Sequence, residues 1–372
     1  MGEVYLVDAV RTPIGRRGGS LSEIPPVRLG AYPLRALLAR NPIDPATLDD
    51  VILGCVTPVG EQGANLARLV VLYAGLPHSV PGVQLNRMCG SGQQAIHFGA
   101  QAIASGDMEL VVAGGVESMS RVAMGSDWPT TWLEGLPTVM QGISAEMMAA
   151  KWSLSRSLLD DMAIESHRRA ALARDGGYFD SQIAPVEGKS GLLTQDEGIR
   201  WPADEAKVRN LRPAFKEDGV VTAAGSSQIS DGAAMVLLAS ESALKTHGLM
   251  PRARLVTRVV VGSDPELMLD GPIPASRRAL ERAGLTIHDI DVIEINEAFA
   301  PVVAAWQKEL EANPARVNPN GGAMALGHPL GASGAVLMAK LLNELERSGG
   351  RYGLQSMCIG HGMATATIIE RL

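Results

Sequence analysis

The residues of this chain best equipped for chemistry sit in glycine-rich turns. The first turn is Asn86-Arg87-Met88-Cys89-Gly90-Ser91-Gly92, and after it Ala95, Ile96, Phe98, Ala100 and Ile103 recur at helical spacing. That spacing predicts a tight turn handing over to a helix, with Cys89 at the junction. Unpaired amides and the positive end of the helix dipole favour an anion there, and a cysteine so placed can have its pKa lowered from ~8.5 to roughly 3.5–7.5. Gly90 and Gly92 leave room for a substrate to reach the sulfur. On this turn alone a packing role competes, because unpaired cysteines are among the most buried residues.

Three further segments hold groups that can serve a thiol. In Gly327-His328-Pro329-Leu330-Gly331-Ala332-Ser333-Gly334 a histidine has small neighbours, which predicts an imidazole open to a cleft and able to take a proton near neutral pH. The turn fits neither a phosphate loop nor a dinucleotide fingerprint. Cys358-Ile359-Gly360-His361-Gly362 ends an apolar run at another glycine turn; Cys358 is either packing or a second thiol tuned to act as acid or base. Asn296 and Glu297 follow the strand Val292-Ile293-Glu294-Ile295, at the end of a strand where ligands bind in α/β sheets. Asn296 can position a water or an oxyanion and Glu297 can cap a helix or orient a neighbour, or either can satisfy a backbone group.

The elements that must carry these groups alternate. Strands are expected at 4–9, 50–56, 82–85, 109–115 and 231–239, with helices at 26–40, 65–74, after Cys89, and at 241–247. Alternation of this kind predicts a parallel sheet with helices on its faces. Cys55 lies inside an apolar run and reads as core. From Met119 to about Ser227 the pattern breaks into prolines, Trp128, Trp132, Trp152, Trp201 and a charged helix at 160–174. This is an inserted region of the kind that shapes substrate access. Its cations around Arg200 and Lys207 read, one at a time, as a solvated face. The break at 248–251 divides the chain into 1–248, with the insertion at about 120–227, and 251–372. A Gly/Ser turn, an Ala-rich helix, a glycine and an apolar strand occur at 91–113 and again at 330–358, which predicts two related halves whose turns meet at one cleft.

Composition bounds the partners. The 372 residues are 46% hydrophobic with a formal net charge of -7 and no basic tract, which excludes a nucleic-acid surface. No apolar run reaches the ~18 residues of a membrane span. The start carries no basic leader, the end no targeting signal, and three widely spaced cysteines fit a reducing compartment. A cytoplasmic protein is expected.

With Cys89, Asn296, His328 and Cys358 in such turns, the sequence resembles the thiolase family, the acetyl-CoA C-acyltransferases. The match runs along nearly the whole chain, through Val7-Asp8-Ala9-Val10-Arg11-Thr12-Pro13, the Cys89 turn, Gly114-Gly115-Val116-Glu117-Ser118-Met119-Ser120, Ser226-Ser227-Gln228-Ile229-Ser230-Asp231-Gly232, Asn296-Glu297-Ala298-Phe299-Ala300 and the His328 and Cys358 turns. The resemblance implies two similar α/β halves with an inserted loop domain. It also implies ping-pong acyl transfer between 3-ketoacyl-CoA, coenzyme A and acetyl-CoA, with no permanently bound cofactor and no metal. Cys89 would be the nucleophile, His328 its base and Cys358 the acid or base at the α-carbon. Asn296 would hold a water that forms one oxyanion hole with His328, and the amides of Cys89 and Gly360 would form the other. Arg200 and Ser227 would meet coenzyme A, Phe215 would line its channel, and a homodimer or homotetramer is implied.

Three departures stand out. His361 replaces a glycine common in the family, Ala223-Ala224-Gly225-Ser226 varies the usual Ala-Gly-Asn run, and Met140-Gln141-Gly142 lacks the histidine of acetoacetyl-specific members. The last leaves longer acyl chains open. A carrier-protein-dependent ketoacyl synthase would use two histidines in its second half, where this chain has the Asn296, His328 and Cys358 set. A non-catalytic acyl carrier would tolerate loss of Cys89, and a redox-sensing pair of Cys89 and Cys358 would form a disulfide in place of a thioester.

Overall fold

The structure, a computed structural model, describes residues 2–128 and 135–372; Trp132 of the inserted region lies outside the described residues. Its strands are β1 Tyr5–Arg11, β2 Gly15–Arg16, β3 Asp50–Gly54, β4 Val83–Leu85, β5 Leu110–Ser118, β6 Val186–Gly188, β7 Gly191–Leu193, β8 Ser230–Ala239, β9 Ala253–Gly262, β10 Val292–Ile295, β11 Tyr352–Ile359 and β12 Met363–Arg371. Ten of them form one sheet, in the order β10-β11-β12-β9-β1-β8-β5-β3-β4, with β2 paired to β8.

The sheet is mixed, which corrects the parallel expectation. β3 runs parallel to β4 and β5, and β10 parallel to β11, each joined through a helix. β8 instead pairs antiparallel with both β1 and β5. It follows the inserted region, so no short right-handed crossover fixes its direction. β12 folds back on β11 through Gly360-His361-Gly362 as a hairpin, and β9 closes on β12 antiparallel.

Both faces of this sheet are covered, so its strands read as continuous apolar runs. On β8, Ala234, Val236 and Leu238 face one cluster, while Ala233, Met235, Leu237 and Ala239 face another. The first cluster holds the two helices Ser91–Ser105 and Ser333–Ser348. The second is closed by Pro26–Arg40 and Leu66–Ala74, and a third holds Pro272–Ala283 and Ala300–Leu310. The central helices touch through glycine: a Cβ on Gly92 would come within 2.7 Å of the Gly331 carbonyl oxygen, and one on Gly334 within 2.1 Å of the Gln93 nitrogen. The two corresponding turns therefore meet, as their repetition predicted.

The inserted region packs on this frame through a buried ion pair. Arg11 is fully buried and donates from Nη1 to Asp196 Oδ1 at 2.7 Å and from Nη2 to Asp196 Oδ2 at 3.0 Å. Asp196 Oδ1 also accepts from the Ile14 amide at 2.8 Å. That bond fixes the segment leading to Arg200.

Candidate active site

Cys89 lies one residue before Gly90, the N-cap of the helix Ser91–Ser105. Met88 before it takes a left-handed φ of 46°, which turns the thiol out of the chain direction. Cys89 is 5% exposed and packs with Val56, Met119 and Leu330. The Gly360 amide, the Gln141 carboxamide and its own amide each favour the thiolate of Cys89. Two turns far apart in sequence thus aim donors at one atom. Even so the thiol pKa is raised, burial being the main cause, with the buried Glu117 carboxylate adding to it. The lowered value expected of a helix start is not found in the free protein, because desolvation outweighs the donors.

Cys358, at the end of β11, is 1% exposed. Burial pushes its thiol up, and the adjacent Cys89 raises it further. Glu117 accepts from the amides of Val56 at 2.8 Å, Thr57 at 3.2 Å and Gly331 at 2.9 Å, and from Gln62 Nε2 at 2.8 Å. It therefore ties the loop after β3 to the turn that carries His328.

His328 is 3% exposed, not open to a cleft as expected. Its small neighbours let side chains of other segments close in on the turn: a Cβ on Gly327 would fall 2.1 Å from Ser230 Oγ. Nδ1 lies 2.6 Å from Ser333 Oγ, and that hydroxyl donates to the Pro329 carbonyl at 2.8 Å. With its only proton so used, Ser333 must accept from Nδ1–H, which leaves the lone pair on Nε2. Asn296 Nδ2 sits 3.3 Å from that nitrogen. Burial lowers the imidazole pKa to about 4, so His328 is a neutral acceptor at ordinary pH. Glu297 does not cap the following helix. It accepts from Ser166 Oγ at 2.7 Å, Asn318 Nδ2 at 3.1 Å and the Met324 amide at 3.2 Å, beside Asn296.

Two cavities serve these groups. A chamber of about 190 Å³ is lined by Cys89, Gly360 and His361, with Met88, Met124, Met140, Met268, Trp128, Phe215, Phe299 and Leu330 as apolar wall and Gln141 and Asp127 as polar exceptions. Phe215 meets Phe299 edge to face at 5.6 Å. His328 and Asn296 are not in its lining; Leu330, two residues beyond His328 in the same turn, lines it and packs on Cys89. The second cavity, about 610 Å³, is lined by Arg200 and Ser227 together with Arg16, Arg17, His167 and Lys207. There the Arg200 amide donates to His167 Nδ1 at 3.0 Å, and the Ser227 amide to the Ala298 carbonyl at 2.9 Å. Sequence reasoning missed the methionine wall, Gln141 and the convergence of Arg16, Arg17 and Lys207. Only the adjacent Arg16-Arg17 pair beside glycine offered a signal.

Residues 4–242 match the family model "Thiolase, N-terminal domain" and residues 249–371 "Thiolase, C-terminal domain". The chain is 54% identical to a steroid 3-ketoacyl-CoA thiolase of Mycobacterium tuberculosis, over 100% of this chain and 95% of that one. It is 45% identical to a 3-oxoadipyl-CoA/3-oxo-5,6-dehydrosuberyl-CoA thiolase of Escherichia coli over 100% of both. The human mitochondrial 3-ketoacyl-CoA thiolase in complex with CoA superposes with a TM-score of 0.93 at 39% identity, over 100% of this chain and 98% of that one. The chain belongs to the thiolase family and is an acyltransferase of 3-ketoacyl-CoA, acting by thiolytic cleavage or the reverse condensation.

Proposed function

We propose that Cys89 is the acyl-carrying nucleophile and that the other turns divide the work around it. In thiolysis Cys89 gives its proton to His328 Nε2 and its sulfur attacks the 3-keto carbon. The bond between the α- and β-carbons breaks, and Cys358 gives a proton to the departing acetyl-CoA enolate. Coenzyme A then attacks the thioester as its thiol proton passes to the Cys358 thiolate, and Cys89 leaves and takes back its proton from His328. The amides of Cys89 and Gly360 hold one developing oxyanion, and Asn296, through a water, holds the other with His328. The observation that carries this reading is the convergence of amide donors from two distant turns on the Cys89 sulfur beside a second thiol.

Arg200 and Ser227, with Arg16, Arg17 and Lys207, line a cavity whose cations suit the phosphates of coenzyme A. Phe215 lies on the acyl side, and the apolar methionine wall favours acyl groups larger than acetyl. We place the division between an N-terminal half, 1–248 with its insertion at about 120–227, and a C-terminal half, 251–372. Among the described residues no helix is long and apolar enough to cross a membrane; the setting we propose for the enzyme is the cytoplasm. Leu69, Leu72, Tyr73 and Val83 are exposed at or near the edge strand β4, which supports a homodimer, alone or paired into a tetramer.

The test is intact mass after incubation with acetyl-CoA. An acetyl adduct on Cys89, absent in Cys89→Ser, is expected. No adduct, or no acetyl-CoA formed from 3-ketoacyl-CoA and free coenzyme A, overturns the assignment.

A further inference from the structure

Gln141 opens the helix Gln141–Lys151 in the inserted region, and neither it nor its N-cap Met140 makes a side-chain capping bond. Its carboxamide points away from its own helix, at the point where the Cys89 and Cys358 turns meet. Nε2 lies 3.2 Å from where a Cβ on Gly360 would stand, so the absence of a side chain at 360 is what admits it. Among the described residues Gln141 is one of three polar side chains, with Asp127 and His361, in an otherwise apolar chamber wall. Among the described residues no oxygen accepts from this carboxamide. Gln141 is half-buried, its Nε2 stands over Gly360 in the chamber that Cys89 lines, and from there it favours the thiolate of Cys89.

We propose that Gln141 is a catalytic residue of the acyl-transfer half-reaction, a side-chain donor that joins the amides of Cys89 and Gly360 and holds negative charge on the Cys89 sulfur. This rests on Cys89 being the nucleophile. The role has a physical logic: two backbone donors in a site this dry leave the anion under-solvated, and a third raises the share of reactive sulfur. Because the donor belongs to the inserted region, the nucleophile is complete only when that region is docked on the two halves.

The experiment follows alkylation of Cys89 by iodoacetamide against pH, scored on the Cys89 peptide, in the full-length protein and in Gln141→Met and Gln141→Glu. Methionine keeps the length and removes the donor; glutamate removes it and adds like charge. The alkylation midpoint should rise by about one pH unit in Gln141→Met, the tenfold cost of one lost hydrogen bond to a charged group, and further in Gln141→Glu. The acyl-loading rate should fall by about tenfold in Gln141→Met with KM for the acyl donor little changed. A Gln141→Met midpoint that overlays the unsubstituted protein overturns the proposal. If the unsubstituted protein itself forms no acyl-Cys89, the nucleophile assignment has failed instead, so the two failures are told apart.

Discussion

The turns that carry Cys89 and Cys358 hold the same functional group in opposite settings. Both thiols are buried, and burial raises both. Cys89 is given three N–H donors, two of them from outside its own turn. Cys358 is given only its own amide and the neighbouring Cys89, whose charge opposes its ionisation. Burial alone would leave two inert thiols; unequal donors make one the sulfur that can carry charge and the other the sulfur that keeps its proton. Difference of environment rather than of residue type separates nucleophile from acid, as with paired carboxylates whose surroundings push their pKa values apart.

The sharpest way to break that comparison is to remove the acid and spare the nucleophile. Cys358→Ala should slow condensation by about 10²–10⁴-fold, the usual worth of a positioned general acid or base. Loading of Cys89 from acetyl-CoA, measured by rapid-quench mass spectrometry, should change by less than about tenfold, since no proton at the α-carbon moves in that step. Equal loss of both steps would mean that Cys358 merely supports Cys89.

The two settings differed in how far the sequence revealed them. Cys89 was legible because a thiol, two glycines and a helical apolar pattern lie within one short stretch, and the helices Pro26–Arg40 and Glu241–His247 fell at the expected limits. What shapes the chamber was not. Met88, Met124, Met140 and Met268 arrive from separated segments, and methionine by itself reads as core filler. Nothing near Arg11 in the sequence announces its partner, since Asp196 is 185 positions away. Strand direction was misjudged for β8 because hydrophobic period carries no direction. The desolvation that raises Cys89 and lowers His328 is likewise a property of what closes over them.

The next expected effect concerns the base that serves Cys89 and not Cys358. His328 must be neutral to accept a proton, and burial lowers its pKa to about 4. Acyl loading should therefore hold steady from about pH 8 down to about pH 5 and fall only as pH nears 4. An imidazole at the ordinary ~6.5 would already be about tenfold less available at pH 5.5. The sign carries over to stability: the unfolded histidine takes up its proton below about 6.5 while the folded one stays neutral, so His328 weakens the fold progressively between pH 6.5 and 4. A stopped-flow pH profile with an acid limb centred near 6.5 would contradict the buried, neutral imidazole.

The smallest effect tests whether the Cys358 turn spends strain on chemistry. His361 is an exposed residue at φ 65°, between Gly360 and Gly362, in a left-handed conformation that suits glycine. A side chain there costs roughly 1–2 kcal/mol, and glycine would return part of that while losing roughly 0.5–1 kcal/mol to unfolded-chain entropy. His361→Gly should thus gain about 0.5 kcal/mol, seen as roughly 0.6 °C in Tm for a chain of this size. The Gly360 amide stays where it is, so acyl loading should be preserved while selectivity shifts toward bulkier acyl groups, because His361 lines the chamber. If loading collapses instead, the imidazole holds the Gly360 amide on the Cys89 sulfur, and the two turns are coupled more tightly than their hydrogen bonds indicate.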